Sequence, residues 1–448
     1  MNKRLATCVA FGAALATVIA IGGLTAAVDH RQITGVVVVT LDTTRADRLS
    51  PYGFANVSLP VLERLARECQ VFDRARSVAP LTLPSHASLF TGLLPPRHGV
   101  RDNADSALSE SSATLAEALK MRGFRTGAFV GSSVLDANRG LRQGFDEYSD
   151  PPRATQPGIA RQRPANDVID DAIRWLEADS QTPFLLWAHL YDAHRPYDPP
   201  EPFRSTYGHD LYVGEIAFAD SQIGRLIEAL ERRRQLDSTL IVVIADHGES
   251  LGAHGERDHG IFVYEDVIRV PLIIRGPGIS TGRVETDVST IDIMPTVLDI
   301  LGIDAPAMDG ESLRPVLSAR SAPHQAVYAE SLYPRRFGCS PVRALNDGRF
   351  KLIAAPRPEL YDLDNDPFES RNLYAEGSDI VRALRLKLDA IKDSPQPQLL
   401  NNGPSPQQRS ELRSLGYIAG PVQKAPADWS LRDAKDCVAA FGASPATY

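Results

Sequence analysis

Acidic and imidazole side chains follow three separate apolar runs of the sequence, each at the point where the run ends. The runs are short and rich in β-branched or large aliphatic residues, which is typical of buried strands. The carboxyl ends of parallel strands converge at one edge of a sheet, where ligand sites form. One such carboxylate alone is more often a turn residue, but three strand ends together predict a common site. The candidates are Asp42, then Asp192 and His194, and then Asp246 and His247.

A glycine-rich, charged stretch from residue 248 to 260 supplies a further imidazole. Such a stretch is a loop, so it can bring His259 back over the strand ends. Carboxylates combined with imidazoles suit Zn²⁺ or Mn²⁺ better than Mg²⁺, and Ca²⁺ is the alternative. A metal there would lower the pKa of a coordinated hydroxyl and neutralise developing charge.

The segment from residue 79 to 92 places a hydroxyl residue, Thr82, just before an apolar, helix-like run. Pro84 stands where that helix would begin, and the free N–H groups of a helix N-terminus favour an anion beside Thr82. A threonine in this place is most often a helix cap. The metal-ligand candidates elsewhere in the chain favour a second interpretation, in which the Thr82 hydroxyl is an activated nucleophile.

From residue 36 onwards, apolar strands alternate with helical segments, which predicts an α/β domain with a largely parallel sheet. After about residue 316, short extended pieces and a helix predict a smaller α+β region. We divide the chain into a signal peptide or membrane anchor, a catalytic domain, a C-terminal subdomain, and a linker with a tail. Their bounds are residues 1–28, 34–315, 316–393 and 394–448.

Charge and composition limit the class of protein. The 448 residues carry a formal net charge of -8, which argues against a nucleic-acid partner because such proteins present a basic face. The uncharged run from residue 5 to 28 is either a cleaved signal peptide or an anchor that associates with the membrane. Both alternatives predict export, to the periplasm or outside the cell. Cys339 and Cys437 can pair in an oxidising compartment, and the sequence leaves this pairing open.

Several separated motifs carry a family resemblance. They are Leu41–Asp47 (LDTTRAD), Thr82–His86 (TLPSH), Ala245–Gly252 (ADHGESLG), Tyr264–Glu265 with Val270–Ile274, and Glu359–Leu363 with Asp366–Pro367. In this order they resemble the sulfatase family of the alkaline phosphatase superfamily over roughly residues 34 to 375. The resemblance implies an α/β/α sandwich with a mostly parallel central sheet, a smaller C-terminal α+β subdomain, and an anionic ester as substrate.

The resemblance also implies which residues do the chemistry. The ligands of one metal ion are implied to be Asp42, Asp246 and His247, together with the hydroxyl of Thr82. Sulfatases carry a Cys or Ser at the position of Thr82 and oxidise it to formylglycine, an aldehyde that threonine cannot form. Threonine nucleophiles occur in related nucleotide phosphodiesterases and in lipid A phosphoethanolamine transferases. His259 stands where sulfatases place a sulfate-binding Lys.

The related phosphodiesterases supply roles for further residues. An Asn near their His-Gly loop binds a phosphoryl oxygen, and Asn103 is its counterpart here. Arg101 either binds an anionic oxygen or forms a structural ion pair. Members with two metals hold the second with an Asp and two His, for which Asp192, His194 and His259 are candidates. Because Asp192 and His194 are two residues apart rather than four, the alternative is that these histidines bind substrate or carry protons.

We therefore predict an exported, metal-dependent hydrolase of phosphate or sulfate esters. Thr82 is the nucleophile, Asn103 stabilises the equatorial oxygens, and His259 or His194 protonates the leaving group. Three alternatives stay open. They are a sulfuric ester hydrolase that works without formylglycine, a membrane-anchored phosphotransferase, and a catalytically inactive binding protein.

Overall fold

The computed structural model describes residues 33–152, 162–318, 326–391, 405–414, 417 and 431–441. The predicted signal peptide or anchor lies outside these residues, as does most of the predicted linker. Within the described part of the chain, no helix is long and apolar enough to cross a bilayer.

The main sheet contains nine of the described strands. They are β1 (Gly35–Leu41), β2 (Gln70–Arg76), β3 (Arg125–Val130), β4 (Glu147–Ser149), β5 (Phe184–Leu190), β6 (Thr239–Ala245), β7 (Arg269–Arg275), β8 (Gly282–Val284) and β9 (Val288–Ser289). Their order is β4-β3-β5-β1-β6-β7-β2-β8, and β9 also pairs with β2. The strands from β4 to β6 run parallel, whereas β7 is antiparallel to both of its neighbours. The predicted, mostly parallel α/β sheet is confirmed.

Helices connect the strands and cover both faces of this sheet. In the described residues up to 318 they are α1 (Pro60–Glu68), α2 (Thr82–Thr91), α3 (Pro95–His98), α4 (Leu115–Lys120), α5 (Ala165–Glu177), α6 (Phe203–Thr206), α7 (Leu211–Arg232), α8 (Glu265–Ile268), α9 (Ile293–Ile300) and α10 (Arg314–Leu317). Before α4, Thr114 and Glu117 form a capping box, because each side chain accepts the other residue's backbone N–H.

Aromatic contacts show that the helices form two layers. Trp187 of β5 pairs with Ala128 of β3, so Phe129, the next residue, faces the other side of the sheet. Trp187 packs on Phe90 of α2 at a ring-centroid distance of 4.5 Å. Phe129 packs on Trp175 of α5 at 6.1 Å. The molecule is therefore an α/β/α sandwich, with α2 and α5 on opposite faces.

A separate antiparallel sheet lies C-terminal to the sandwich, as predicted. Its strands follow in chain order and are β10 (Val327–Ser331), β11 (Val342–Asp347), β12 (Phe350–Ala354) and β13 (Glu359–Asp362). The following helix, α11 (Asp379–Ala390), packs on this sheet through Leu384 and Leu388, which share a small apolar core with Leu345 and Leu352. Burial of this core holds the helix on one face of the sheet.

The end of the chain, assigned from the sequence to linker and tail, contains two short helices among its described residues. They are α12 (Pro406–Ser414) and α13 (Ala434–Phe441). A disulfide joins Cys437 of this helix to Cys339, which lies between β10 and β11 and is completely buried. The pairing that the sequence leaves open is therefore made.

Candidate metal centre and active site

Asp42 and Asp246 follow two adjacent parallel strands, β1 and β6. The pairing of these strands sets Leu41 beside Ala245, so both carboxylates leave the sheet at the same level, with His247 next along the chain. The ligand atoms of Asp42, Asp246 and His247 all lie within 4.8 Å of one another, and all three side chains are buried. The structure thus brings these three residues together, as their positions at strand ends predict.

The donor set of this cluster fits a divalent cation. Both carboxylate oxygens of Asp42 and Oδ2 of Asp246 are buried and make no hydrogen bond of ordinary geometry within the described residues. Burial and then the neighbouring charge of Asp246 raise the pKa of Asp42 well above its ordinary value, and burial raises the pKa of Asp246 to about 7. Two buried carboxylates at this separation are costly without a compensating cation.

His247 is oriented to offer its second ring nitrogen to the cluster. Its Nδ1 lies 2.9 Å from the Gly248 carbonyl oxygen, which can only accept, so Nδ1 carries the hydrogen. Burial lowers the pKa of His247 well below its ordinary value, which keeps the ring neutral. The Nε2 lone pair is therefore free to bind a metal, as is usual for an imidazole ligand held by a carbonyl.

Thr82 lies at the N-terminus of α2, above this cluster. The N-cap of the helix is Leu81, so the interpretation of Thr82 as the helix cap is wrong. The Thr82 hydroxyl is buried and lies 3.5 Å from Nε2 of His247. Ser85 of the same helix donates to the Asp246 carbonyl oxygen at 2.6 Å, which fixes the helix on the end of β6. Thr82 is thereby held against the predicted metal ligands.

Asn103 lies beside the first turn of α2. Its Oδ1 accepts the backbone N–H of Leu83 at 2.9 Å, which fixes the plane of the amide. Its Nδ2 is buried and has no hydrogen-bond partner within the described residues. A buried amide donor next to a helix N-terminus is suited to bind an anionic oxygen.

His189 belongs to the site although its sequence context does not reveal it. Strand pairing sets it beside Thr40, on the same face of the sheet as Asp42. Its Nδ1 lies 3.2 Å from Oγ1 of Thr40, and its Nε2 lies 3.4 Å from Oδ2 of Asp42. Thr40 Oγ1 also lies 3.0 Å from Nε2 of His86 of α2. The sequence shows only that side chains alternate between the two faces of each strand. This alternation places His189 beside Asp42 only once β1 and β5 are known to pair.

Two further histidines, His194 and His259, meet at the mouth of the cluster. The rings of His259 and His247 are 4.6 Å apart, and those of His194 and His259 are 5.2 Å apart. Glu249, which is fully buried, lies 3.2 Å from Nδ1 of His259. Burial opposes the charged form of His259, but the carboxylates of Glu249, Asp258 and Glu256, with Glu249 the largest contributor, together outweigh burial and raise its pKa. Burial lowers the pKa of His194 to about 3.

Asp192 does not join this group. Its Oδ1 accepts the backbone N–H of Ala165 at 2.9 Å, at the start of α5, so the carboxyl group is engaged with a helix on the other face of the sheet. Burial raises the pKa of Asp192 to about 7. Among the described residues, Asp42, Asp246 and His247 form the single metal-type group, and a second one from Asp192, His194 and His259 is not assembled. The chain turns here, since the His194 N–H donates to the Tyr191 carbonyl oxygen at 3.0 Å, and the turn points Asp192 and His194 in different directions.

Arg101 forms the structural ion pair that is one of its two predicted roles. Its guanidinium makes two hydrogen bonds to the carboxylate of Glu330, which lies on β10 and is 2% exposed. Tyr328 donates to the same carboxylate at 2.6 Å. The pair therefore ties the loop after α3 to the C-terminal sheet.

The ion pair gives a stability prediction. We expect Arg101→Ala to lower the free energy of unfolding by about 3 kcal/mol, because Glu330 would be left buried and unpaired. Urea unfolding measures this loss. The double variant Arg101→Met/Glu330→Gln is the control and should recover most of it. An unchanged free energy of unfolding combined with weaker ester binding would instead assign Arg101 to the substrate.

The fold and the site together define an ester hydrolase of the alkaline phosphatase superfamily. Residues 34–303 match the family model described as Sulfatase. Residues 252–394 match the model described as N-sulphoglucosamine sulphohydrolase, C-terminal. Because the first match covers more than half of the chain, the protein belongs to the sulfatase family.

Individual relatives are distant but cover most of the chain. The protein named uncharacterized sulfatase YidJ of Escherichia coli K12 is 26% identical over 409 residues, which is 75% of this chain and 82% of that protein. The choline-sulfatase of Rhizobium meliloti is 27% identical over 73% of this chain and 80% of its own length. The solved phosphonate monoester hydrolase of Agrobacterium radiobacter is 23% identical, covers 80% of this chain and 94% of that one, and has a TM-score of 0.67. The last similarity supports the fold.

Proposed function

We propose that this protein is an exported, metal-dependent hydrolase of singly charged phosphorus esters, with Thr82 as its direct nucleophile. The observation that carries the proposal is the position of the Thr82 hydroxyl, 3.5 Å from Nε2 of His247 at the start of α2. Sulfatases normally use formylglycine at this place, and threonine cannot form it. Attack by the unmodified hydroxyl is the chemistry that threonine offers.

The site residues have distinct tasks in this reaction. A divalent ion held by Asp42, Asp246 and His247 would lower the pKa of a neighbouring hydroxyl and neutralise charge on the ester. With the ion bound, the Thr82 hydroxyl would release its proton to solvent, and Oγ1 then forms a bond to phosphorus while the bond to the leaving alcohol breaks. Hydrolysis of the phospho-threonine later frees Oγ1, which takes a proton back from solvent. The amide of Asn103 binds an oxygen of the transferred group.

A proton and a water molecule complete the reaction. His259, whose cationic form is stabilised by Glu249, gives its proton to the leaving oxygen. Water then attacks the phospho-threonine at Thr82, and the same imidazole accepts the proton that the water loses. His194 is less suited to this task, because burial lowers its pKa to about 3.

The charge of the site favours esters with a single negative charge. Three guanidinium groups close to site residues in sequence, those of Arg45, Arg101 and Arg195, are each held by carboxylates. Beyond the metal ion and His259, none of them is a lone cation that could balance the second charge of a phosphate monoester. Phosphate diesters, phosphonate monoesters and sulfate monoesters carry one charge, and the solved relative named above is a phosphonate monoester hydrolase.

Export is part of the proposal and has two supports. Lys3 and Arg4 precede an uncharged run of 24 residues, from 5 to 28, which is typical of a signal peptide or anchor. The disulfide between Cys339 and Cys437 is of the kind that persists in oxidising compartments. Sequencing the amino terminus of the mature protein distinguishes a cleaved signal from a retained anchor.

A panel of 4-nitrophenyl esters tests the substrate class. We expect bis(4-nitrophenyl) phosphate and 4-nitrophenyl phenylphosphonate to exceed 4-nitrophenyl phosphate in kcat/KM by at least about tenfold, which corresponds to 1.4 kcal/mol. A sulfate ester as the best substrate would favour the second candidate, a sulfatase that works without formylglycine, which family membership supports. Lack of turnover with every ester, and lack of bound metal, would indicate a binding protein.

A further inference from the structure

A tyrosine from the C-terminal segment, far from every family motif in sequence, lies in the active site. Tyr417 follows α12 and is 3% exposed. Its backbone N–H donates to the carbonyl oxygen of Leu412 at 2.8 Å, and Leu412 is itself buried in the main core. The position of the phenol is therefore fixed by the packing of α12 on the sandwich.

The Tyr417 hydroxyl contacts the polar groups that surround the nucleophile. It lies 3.1 Å from Nε2 of His259 and 3.4 Å from Nε2 of His194. The His259 ring lies 4.6 Å from the ring of His247, whose Nε2 is 3.5 Å from the Thr82 hydroxyl. The Tyr417 hydroxyl thus belongs to one contiguous polar group with the two imidazoles and the predicted nucleophile.

The hydrogen position on the His194 ring follows from the hydrogen bond that its other ring nitrogen makes. Nδ1 of His194 lies 2.7 Å from the Arg195 carbonyl oxygen, so Nδ1 carries the hydrogen and Nε2 is an acceptor. The Tyr417 hydroxyl therefore donates to His194. This bond is long at 3.4 Å, so little is lost when the hydroxyl hydrogen turns to a better acceptor.

An anionic oxygen of the substrate is such an acceptor. When Thr82 Oγ1 attacks, the non-bridging oxygens of the transferred group lie about 3 Å from it, which is hydrogen-bond distance. The Tyr417 hydroxyl, in the same polar group as Thr82, can therefore reach one of these oxygens. Hydrogen bonds to ionised acceptors are roughly twice as strong as neutral ones, so the new bond would replace the long bond to His194.

We propose that Tyr417 is a catalytic residue whose hydroxyl donates a hydrogen bond to a non-bridging oxygen of the group that Thr82 attacks. This inference rests on the proposed function, because it takes Thr82 as the nucleophile. It adds a donor from the C-terminal segment to the one that Asn103 supplies from the catalytic domain.

The variant Tyr417→Phe tests the inference, because it removes the hydroxyl and keeps the ring that packs beside Tyr333 and His259. We expect kcat/KM for the best phosphorus ester to fall about 100-fold, as for other single oxyanion donors. Orthovanadate, which adopts the five-coordinate geometry of the transition state, should bind more weakly by a similar factor. If Tyr417 had a purely structural role, the loss in kcat/KM and the loss in vanadate affinity would not be equal.

Two further variants separate the outcomes. Tyr52→Phe is the control, because it also removes a tyrosine hydroxyl that makes hydrogen bonds, here a partly buried one that bonds the backbone of Leu272 away from the site. It should leave kcat/KM and vanadate inhibition unchanged. Tyr417→Ala tests whether the ring blocks the site. A rise in kcat/KM in either Tyr417 variant would overturn the inference, and so would unchanged kinetics in Tyr417→Phe.

The wild-type enzyme distinguishes failure of the inference from failure of the proposed function. If the wild type hydrolyses phosphorus esters and Tyr417→Phe behaves like Tyr52→Phe, only the role of Tyr417 is wrong. If the wild type neither hydrolyses any ester of the panel nor binds vanadate, the proposed function is wrong and the role of Tyr417 falls with it. Melting temperatures of all variants identify any variant that fails to fold. If Tyr417→Phe does not fold, weaker vanadate binding by Tyr417→Ala tests the inference instead.

Discussion

Thr82→Ala is expected to lower kcat/KM for the best ester by about 10⁴-fold or more, which is the scale seen when an enzyme loses its nucleophile. The substitution removes the hydroxyl 3.5 Å from His247 and leaves Asp42, Asp246 and His247 in place. We therefore expect the metal content and the melting temperature to stay near the wild-type values. Steady-state kinetics and elemental analysis of the same preparation measure both quantities.

Matched variants make this experiment specific. Thr91 lies on the same helix and is also buried, but its hydroxyl donates to the Ala87 carbonyl oxygen, away from the cluster. Thr91→Ala should keep its activity, whereas Thr82→Ser should keep a measurable part of it because the hydroxyl is restored. Wild-type turnover in Thr82→Ala would contradict the assignment of the nucleophile. Loss of both metal and activity in Thr82→Ala would indicate that Thr82 is chiefly a ligand.

Asp42→Asn should have the second largest effect. Both oxygens of Asp42 are buried and have no hydrogen-bond partner in the described residues, so the carboxylate is available to a cation. The neutral amide should lower the bound metal to a small fraction of the wild-type amount and kcat/KM by about 10³-fold. Elemental analysis after dialysis against a chelator, followed by assays with added Zn²⁺ or Mn²⁺, measures these changes.

Chelation of the wild type provides a second test of metal binding at this site, with the melting temperature as the measured quantity. Removing a cation leaves the Asp42 and Asp246 carboxylates buried against each other, so the melting temperature should fall. In Asp42→Asn this repulsion is absent, and chelator should have little effect. Asp192→Asn is the control, because Asp192 accepts a helix N–H and is not in the cluster. A large loss of metal in Asp192→Asn would instead reveal a second ion.

Much of the site could be predicted because its residues lie at the ends of strong apolar runs. Asp42 and Asp246 follow uninterrupted β-branched strands, and such strands must be central in a parallel sheet because both of their faces are buried. Adjacent central strands bring their ends together, whatever their separation in sequence. The apolar run and Pro84 predicted the next helix, which begins at Thr82 rather than near Pro84. That pattern could not decide between cap and nucleophile without the neighbouring strand ends.

The residues that escaped prediction depend on pairings that a sequence does not display. His189 reaches Asp42 only because β5 pairs with β1 in one register, which sets it beside Thr40. Tyr417 reaches His259 across 158 residues, through the packing of a helix in a segment with few apolar residues. The role of Arg101 was undecided for a similar reason, since its partner Glu330 lies 229 residues away.

The disulfide described above has a consequence for the dynamics of catalysis. Cys339 and Cys437 are 98 residues apart, and the covalent ring that they close contains Tyr417. In the chain-entropy view, closing a ring of this size removes roughly 4–5 kcal/mol of freedom from the unfolded chain. The ring also limits how far the segment with Tyr417 can depart from the nucleophile, so it raises the local concentration of the phenol there. We therefore expect the contribution proposed for Tyr417 to weaken when this disulfide is reduced.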